Sequence, residues 1–159
     1  MSTPRSHRVP FMQRAIEEAK IAATEGEIPV GAVAVVDNKI IAQSHNRREA
    51  TCDPCAHAEI LLLREVGARL GTWHFENVTV YVTLEPCPMC AGALVAARVR
   101  TLVYGAQDPK GGGVRSLFAL CEDPRLNHRI EVISGICAQE CSELMRDFFM
   151  TMRETQDAP

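Results

Sequence analysis

Two cysteines three residues apart, Cys87 and Cys90, stand where the sequence predicts the start of a helix. Residues at positions i and i+3 share a helix face, so both thiols can reach one metal ion. Pro88 supports this placement because a proline is tolerated in the first helical turn, where its missing N–H would lack a partner anyway. The positive end of a helix also favours the thiolate form that binds zinc. The spacing therefore predicts two ligands of one zinc ion.

A third ligand is available in His57, thirty residues before Cys87. Two thiolates and one neutral imidazole balance the charge of Zn²⁺ and leave one tetrahedral position open for water, as in catalytic zinc sites. Bound zinc lowers the pKa of that water and so makes a nucleophile available at neutral pH. Glu59, two residues beyond His57, should point away from the ligand direction and stay free to carry protons. We predict a hydrolytic site with Glu59 as its catalytic residue.

Two other assignments of these cysteines remain open. Cys87 and Cys90 alone match a redox pair, although that motif belongs in a thioredoxin-like context and gives His57 no task. Together with Cys52 and Cys55 they would form a closed four-thiolate structural zinc site. The 31 residues between Cys55 and Cys87 exceed the usual gap of about 15–20 in such double motifs. We therefore expect Cys52 and Cys55 to be unligated thiols near the mouth of the site.

The order His-x-Glu followed by Pro-Cys-x-x-Cys resembles the signature of the zinc-dependent nucleobase deaminases, the cytidine/deoxycytidylate deaminase superfamily. Within this superfamily the chain is most similar to the bacterial tRNA-specific adenosine deaminases, from about residue 9 to residue 153. The segments that carry the likeness are residues 29–33, 45–47, 56–60, 81–87, 89–93, 104–106, 127–129 and 147–149.

The resemblance implies a hydrolase acting on the C–N bond of a cyclic amidine, which converts adenosine to inosine at the wobble position of a tRNA anticodon. Zinc-bound hydroxide would attack C6 of the adenine while Glu59 shuttles protons to the ring and to the departing ammonia. It also implies one zinc ion per subunit, the anticodon stem-loop of an arginine tRNA as partner, and a homodimer whose two subunits both contribute to the RNA surface.

The same resemblance implies contacts to the purine and to an anticodon loop whose target base is splayed out. The residues so assigned are Asn46 for the purine, Val30, Leu84 and Ala106 for the pocket wall, and Asp108, Lys110, Asn127, His128 and Arg129 for the anticodon loop. The chain departs from the family pattern at Cys52 and Cys55, which stand in a stretch that is often His-Asp-Pro-Thr. It also has Gln107 where an arginine is usual, which removes a positive charge near the expected RNA face.

Two other functions remain open. A deaminase of a free base or nucleoside, of the guanine or cytosine type, would share the zinc site but would need no basic rim. A noncatalytic, zinc-stabilised RNA-binding module would need no Glu59.

Composition limits the possible classes of protein. The chain of 159 residues is 47% hydrophobic and 23% charged, as expected of one deaminase domain with a core at about 9–153 and flexible tails at 1–8 and 154–159. It has no signal-peptide pattern and no apolar run of membrane-spanning length, so we expect a cytoplasmic protein without membrane contact. Seven cysteines favour metal binding and free thiols over disulfides. The net charge of −3 gives no general sign of nucleic-acid binding, although basic residues are in excess between Arg98 and Arg129.

Periodicity predicts the elements that position the site. We expect a helix from Pro10 to Gly26, a β-hairpin over 30–44, a helix carrying His57 and Glu59 to about Gly67, and a strand over 77–84 that leads into the cysteine helix. Strands over 100–105 and 130–136 and a helix over 138–153, with its apolar face in the core, should follow. The predicted fold is α/β, a three-layer α/β/α cytidine-deaminase-like arrangement in which a central five-stranded mixed sheet carries helices on both faces. The glycine-rich segment 106–116 reads as a flexible loop.

Overall fold

The structure, a computed structural model, describes residues 3–158. Its elements in chain order are α1 Arg5–Thr24, β1 Gly31–Val36, β2 Lys39–His45, α2 Arg48–Thr51, α3 Ala58–Leu70, β3 Thr79–Leu84, α4 Pro88–Ala96, β4 Thr101–Ala106, a 3₁₀ turn Leu120–Glu122, β5 Glu131–Ser134 and α5 Ala138–Gln156. No helix in this described range is long and apolar enough to cross a membrane.

The five strands form one mixed sheet in the order β2-β1-β3-β4-β5. β1 pairs antiparallel with both β2 and β3, whereas β3, β4 and β5 run parallel. The β1–β2 hairpin turns at Asp37 and Asn38, whose φ angles of 48° and 60° fit the left-handed turns that match strand twist. The predicted sheet is confirmed.

Helices cover both faces of this sheet, as predicted. Val80 and Val82 of β3 point to the side of α3 and α4, where they join a core that includes Leu62 and Leu94. Tyr81, between them, points to the opposite side and packs with α1 and α5. This alternation is the period of two that a strand imposes on its side chains. The result is a three-layer α/β/α arrangement.

Helix α1 begins at Arg5, so the prediction of a tail up to residue 8 and of a first turn at Pro10 was wrong. Pro10 lies inside the helix, where it costs one backbone hydrogen bond. Tertiary contacts hold the turns before it: the guanidinium of Arg5 donates to the carbonyl oxygen of Gly135 at 2.9 Å, and Arg8 contacts the hydroxyl of Tyr81. Residues 1 and 2 of the predicted tail lie outside the described part of the chain.

Helix α5 is longer than predicted and its apolar face is only partly in the core. It continues to Gln156, and Phe149, Met150 and Met152 remain 41%, 50% and 41% exposed. Nineteen helical residues span about 28 Å, whereas a strand of six residues spans about 20 Å. The carboxyl-terminal half of α5 therefore extends past the sheet, and part of the stripe predicted as core faces the cavity described below.

Candidate metal centre and substrate cavity

Two helix amino termini bring the predicted zinc ligands together. Cys87 caps the start of α4 with extended backbone angles, Pro88 opens the helix, and Cys90 follows within its first turn. His57 occupies the same capping position at the start of α3. Strand β3 ends at Leu84, three residues before Cys87, so the sheet fixes where α4 begins. The positive ends of both helices face the site, which favours anionic ligands there.

The distances among these side chains fit a zinc ion. Nδ1 of His57 lies 3.6 Å from Sγ of Cys87 and 3.5 Å from Sγ of Cys90. A sulfur and a nitrogen bonded to one tetrahedral zinc at ordinary bond lengths lie about 3.5 Å apart. The three ligand atoms lie within 4.8 Å of one another, and no other cluster of three possible metal ligands occurs among residues 3–158. Cys52 and Cys55 are exposed and outside this cluster.

The two thiols influence each other's ionisation. The hydrogen bond from Cys90, together with the nearby His57, lowers the pKa of Cys87 to about 4. The same hydrogen bond and burial raise the pKa of Cys90. Cys87 therefore ionises readily, whereas Cys90 needs a cation in place of its proton. Zinc binding displaces thiol protons, so the pair is suited to a divalent metal.

Glu59 lies in the first turn of α3 and is only 3% exposed. Burial raises the pKa of its carboxyl group, against the opposing effect of a hydrogen bond with Cys90. A carboxyl group with a raised pKa can hold a proton near neutral pH and pass it on. Glu59 is thus buried beside the ligands and chemically suited to proton transfer.

A cavity of about 670 Å³ opens over the metal ligands. Of the predicted site residues, it is lined by His57, Glu59, Cys87, Asn46, Val30, Leu84, Ala106, Asp108 and Lys110. This volume lies within the range of about 300–1,000 Å³ that is usual for small-molecule sites. The cavity lies at the carboxyl ends of the parallel strands β3 and β4, the edge at which ligands bind in open α/β sheets.

Asn46 presents an unpaired acceptor in this cavity. Its side chain is buried, and its Nδ2 faces the carboxylate of Glu27 at 3.4 Å and the carbonyl oxygen of Ile28 at 3.5 Å. Both partners are acceptors, so the amide nitrogen belongs on that side. Oδ1 of Asn46 is then buried without a hydrogen-bond partner among the described residues. A buried unpaired acceptor of this kind calls for a donor on a ligand.

Glu85 organises the loop that closes one side of the cavity. Its buried carboxylate accepts hydrogen bonds from the backbone N–H groups of Asp108, Val114, Arg115 and Ser116 and from the Ser116 hydroxyl. A Cβ atom at Gly112 would overlap this carboxylate, which is why glycine is needed there. The segment 106–116, which was predicted to be flexible, is thus held in place by these hydrogen bonds.

The three glycines of this loop do not form a phosphate cradle. The N–H groups of Gly112 and Gly113 donate to the carbonyl oxygens of Asp108 and Pro86 at 2.9 and 2.8 Å. The N–H of Gly111 donates to the Asp108 carboxylate at 3.1 Å. All three amide groups are engaged within the protein and are not available to an anion.

Three predicted RNA-contact residues are not brought to the cavity. Asn127, His128 and Arg129 immediately precede β5, at the amino ends of the parallel strands, whereas the cavity lies at their carboxyl ends. None of the three residues lines the cavity. His128 is engaged there, with Nε2 lying 2.7 Å from the carbonyl oxygen of Val99. Any contact of these residues with a substrate must occur outside this cavity.

Sequence reasoning missed several residues that line the cavity. From α5 come Ser142, Met145, Phe149 and Arg153, and from elsewhere Ile28 and Arg48. The α5 residues recur at intervals of three and four, so their common face was visible in the sequence. That periodicity does not distinguish a core from a cavity wall, and the stripe was assigned to the core. Glu27 was also missed, because its partner Asn46 is nineteen residues away.

Comparisons with known proteins agree with this site. The model of the MafB19-like deaminase family matches residues 6–153. The chain is 49% identical over 148 residues to a Bacillus subtilis protein named tRNA-specific adenosine deaminase, covering 93% of this chain and 92% of that protein. It is 44% identical over 148 residues to a protein of the same name from Agrobacterium fabrum, covering 93% of this chain and 97% of the relative.

Solved structures also resemble this chain. One from a study of A-to-I editing by tRNA:A34 deaminases superimposes with a TM-score of 0.83 at 44% identity, covering 86% of this chain and 99% of that one. A guanine deaminase from Nitrosomonas europaea gives a TM-score of 0.76 at 22% identity over 93% of this chain and 85% of that one, and shares the fold.

Proposed function

Because this chain belongs to the MafB19-like deaminase family and to the tRNA-specific adenosine deaminases, we propose that it converts adenosine to inosine at the wobble position of tRNA. The observation that carries the proposal is the buried Glu59 carboxyl beside a His57, Cys87 and Cys90 cluster, on the wall of a cavity large enough for a nucleoside.

His57, Cys87 and Cys90 would hold one zinc ion per subunit. When bound, zinc supplies a Lewis acid that lowers the pKa of water at the site. Glu59 accepts a proton from the attacking water and delivers it to the adenine ring nitrogen. It then takes the remaining proton from the new C6 hydroxyl and passes it to the amino group as ammonia leaves. The raised pKa of Glu59 supports this role, because the carboxyl must hold a proton between these steps.

One polar side chain orients the substrate base, and apolar side chains pack against it. Oδ1 of Asn46 accepts a hydrogen bond from a donor on the nucleoside, while Val30, Leu84 and Ala106 contact the faces of the base. A base must leave its stack to enter such a cavity. Phe149, exposed on the cavity wall, offers a ring on which a neighbouring base can stack.

Positive charge at the cavity suits the RNA backbone. Arg48, Lys110 and Arg153 all line it, and they compensate for the neutral Gln107 at a position where the family often carries arginine. Asp108 contributes mainly to the loop itself, since its carboxylate accepts hydrogen bonds from the N–H groups of Lys110 and Gly111.

The proposal includes a homodimer, an arginine tRNA as substrate and the cytoplasmic location expected from the sequence. Exposed apolar side chains support an interface: Met89, Leu117 and Phe118 are 38%, 54% and 55% exposed. A second subunit also gives Asn127, His128 and Arg129 a way to act, because they lie away from their own cavity and can meet RNA bound to the partner.

The test is inosine formation by the zinc-loaded protein on an arginine tRNA whose anticodon begins with adenosine. Free adenosine, guanine and cytidine are assayed in parallel, and the same tRNA with uridine at the first anticodon position is the matched control. We expect inosine at the wobble position only, read as guanosine after reverse transcription. Turnover of a free base with none on the tRNA contradicts the proposal.

A further inference from the structure

A second cleft, of about 310 Å³, lies at the amino ends of β3 and β4, whereas the predicted metal ligands lie beyond the carboxyl ends of these strands. Thr79 and Thr101, which begin β3 and β4, line it, whereas Leu84 and Ala106 at the other ends of these strands line the substrate cavity. Strands of this length span about 17–20 Å. The two openings are therefore separate sites.

Arg8 of α1 lines this cleft and is only 6% exposed. Among the described residues its guanidinium makes one long hydrogen bond, from Nη1 to the hydroxyl of Tyr81 at 3.5 Å. Across residues 3–158, no carboxylate oxygen lies within 4.0 Å of this guanidinium. An arginine is always charged and carries five N–H donors. A buried cation with so few partners is destabilising until an anion joins it.

Arg8 is the buried charge of this cleft, whereas the other charged residues that line it, Arg100, Asp37 and Glu131, are exposed. Arg100 provides a second guanidinium, which makes no side-chain hydrogen bond or ion pair within the described range. The carboxylates of Asp37 and Glu131 also line the cleft, but both residues are exposed, and Glu131 already accepts a hydrogen bond from the Thr101 hydroxyl at 3.0 Å. Tyr81 and His7 are the other ionisable residues that line the cleft, and Nε2 of His7 lies 3.0 Å from Oδ1 of Asn38.

We propose that this cleft binds the phosphate group of a small phosphomonoester, with Arg8 as the buried anchor and Arg100 as the second cation. The planar guanidinium fork matches the geometry of phosphate oxygens, and the hydroxyls of Thr79 and Tyr81 add hydrogen-bond donors. The volume leaves room beyond the phosphate. Phe11 and Val35 form an apolar wall for the rest of such a ligand.

Calorimetric titration of the zinc-loaded protein tests this site. The probes are ribose 5-phosphate and inorganic phosphate at constant ionic strength, with ribose as the uncharged control. We expect ribose 5-phosphate to bind at least as tightly as inorganic phosphate, and ribose not to bind. Tighter binding of inorganic phosphate contradicts the assignment to a phosphomonoester. No binding of either anion overturns the proposal.

Variants locate the binding. Arg8→Gln and Arg100→Gln should each weaken binding of ribose 5-phosphate by about tenfold or more, because each removes charge-assisted hydrogen bonds. The matched control is Arg69→Gln, which removes an exposed arginine of α3 paired with Glu65. Equal affinity in all three variants overturns the proposal.

A measurement on the wild-type protein guards against misfolding of Arg8→Gln. The side-chain Nε–H resonance of Arg8, identified by its loss in Arg8→Lys, should shift on titration with ribose 5-phosphate. The resonance of Arg69 should not move. An unchanged Arg8 resonance at saturating ligand rules out Arg8 as the anchor.

Discussion

The amide nitrogen of Asn46 lies 3.4 Å from the buried carboxylate of Glu27, while the carbonyl oxygen of the same amide is buried without a partner among the described residues. Glu27 also accepts hydrogen bonds from the N–H groups of Glu49 and Ala50, at 3.2 and 2.7 Å. One carboxylate thus fixes both the orientation of Asn46 and the position of α2. The acceptor that Asn46 presents to the cavity depends on a residue that does not line it.

Glu27→Gln tests this dependence. A glutamine can donate as well as accept, so it no longer dictates which way the Asn46 amide points. We expect kcat/KM on tRNA to fall about tenfold, mainly through KM, the equivalent of losing one oriented hydrogen bond. Zinc content should not change. Steady-state kinetics with metal analysis measure both, and an unaltered KM contradicts the positioning role.

Glu59→Gln tests the proton carrier. The variant keeps the size of the side chain but cannot exchange a proton, so we expect turnover to fall by about 10²-fold to 10⁴-fold. The melting temperature and the zinc content should remain near those of the wild type. Single-turnover inosine formation is the readout. Near-normal turnover in the variant would favour another proton carrier.

Cysteine variants test the identity of the metal ligands. Cys90→Ser should abolish stoichiometric zinc binding and activity, because a serine hydroxyl is a poor zinc ligand. Cys55→Ser is the matched control and should retain one zinc ion per subunit, since Cys55 is exposed and outside the ligand cluster. Loss of zinc from Cys55→Ser as well would support a four-thiolate structural site.

Glu85→Gln tests the loop that closes the cavity. The variant loses charge-assisted hydrogen bonds to four backbone N–H groups, so we expect the free energy of unfolding at pH 7 to fall by about 2–4 kcal/mol. Ser116→Ala, which removes only one of the donors, should cost less. Denaturant unfolding compares the two variants.

The depressed pKa of Glu85 predicts that the stability of the protein depends on pH. Burial acts to raise the pKa of Glu85, but hydrogen bonds from Ser116 and from backbone N–H groups outweigh it and hold the pKa below its ordinary value of 4.5. A depressed pKa gives stability that is present above pH 4.5 and is lost as the pH falls through the folded-state value. The stability difference between wild type and Glu85→Gln should therefore shrink below pH 4.5. A constant difference from pH 7 to pH 3 contradicts this origin.

Phe149→Ala tests the stacking surface on α5. Phe149 lines the cavity and its neighbour Met150 does not, although both are largely exposed. Stacking of a base on an aromatic ring contributes about 1–3 kcal/mol, so we expect KM for tRNA to rise about tenfold in Phe149→Ala. Met150→Ala is the matched control and should change KM little. Equal effects of both variants contradict a specific stacking contact.

The candidate metal site is encoded locally. The spacing of Cys87 and Cys90, the proline between them and the His57–Glu59 pair each belong to the start of one helix, so the sequence alone could predict them. The mixed character of the sheet followed in the same way, because connection lengths and strand patterns restrict which strands run parallel, whereas the order of the strands came only from the structure.

Only the tertiary structure decided which residues meet across long stretches of chain. Arg5 bonds to Gly135, Glu27 orients Asn46, and Glu85 binds a loop more than twenty residues away. Such contacts leave no periodic signal, because periodicity reports only which residues share a face. Periodicity could not show that the face of α5 with Met145 and Phe149 borders a cavity. Nor could it show that α1 begins at Arg5, inside the segment predicted to be a tail. Those outcomes depend on what packs opposite each face, which is a property of the folded chain.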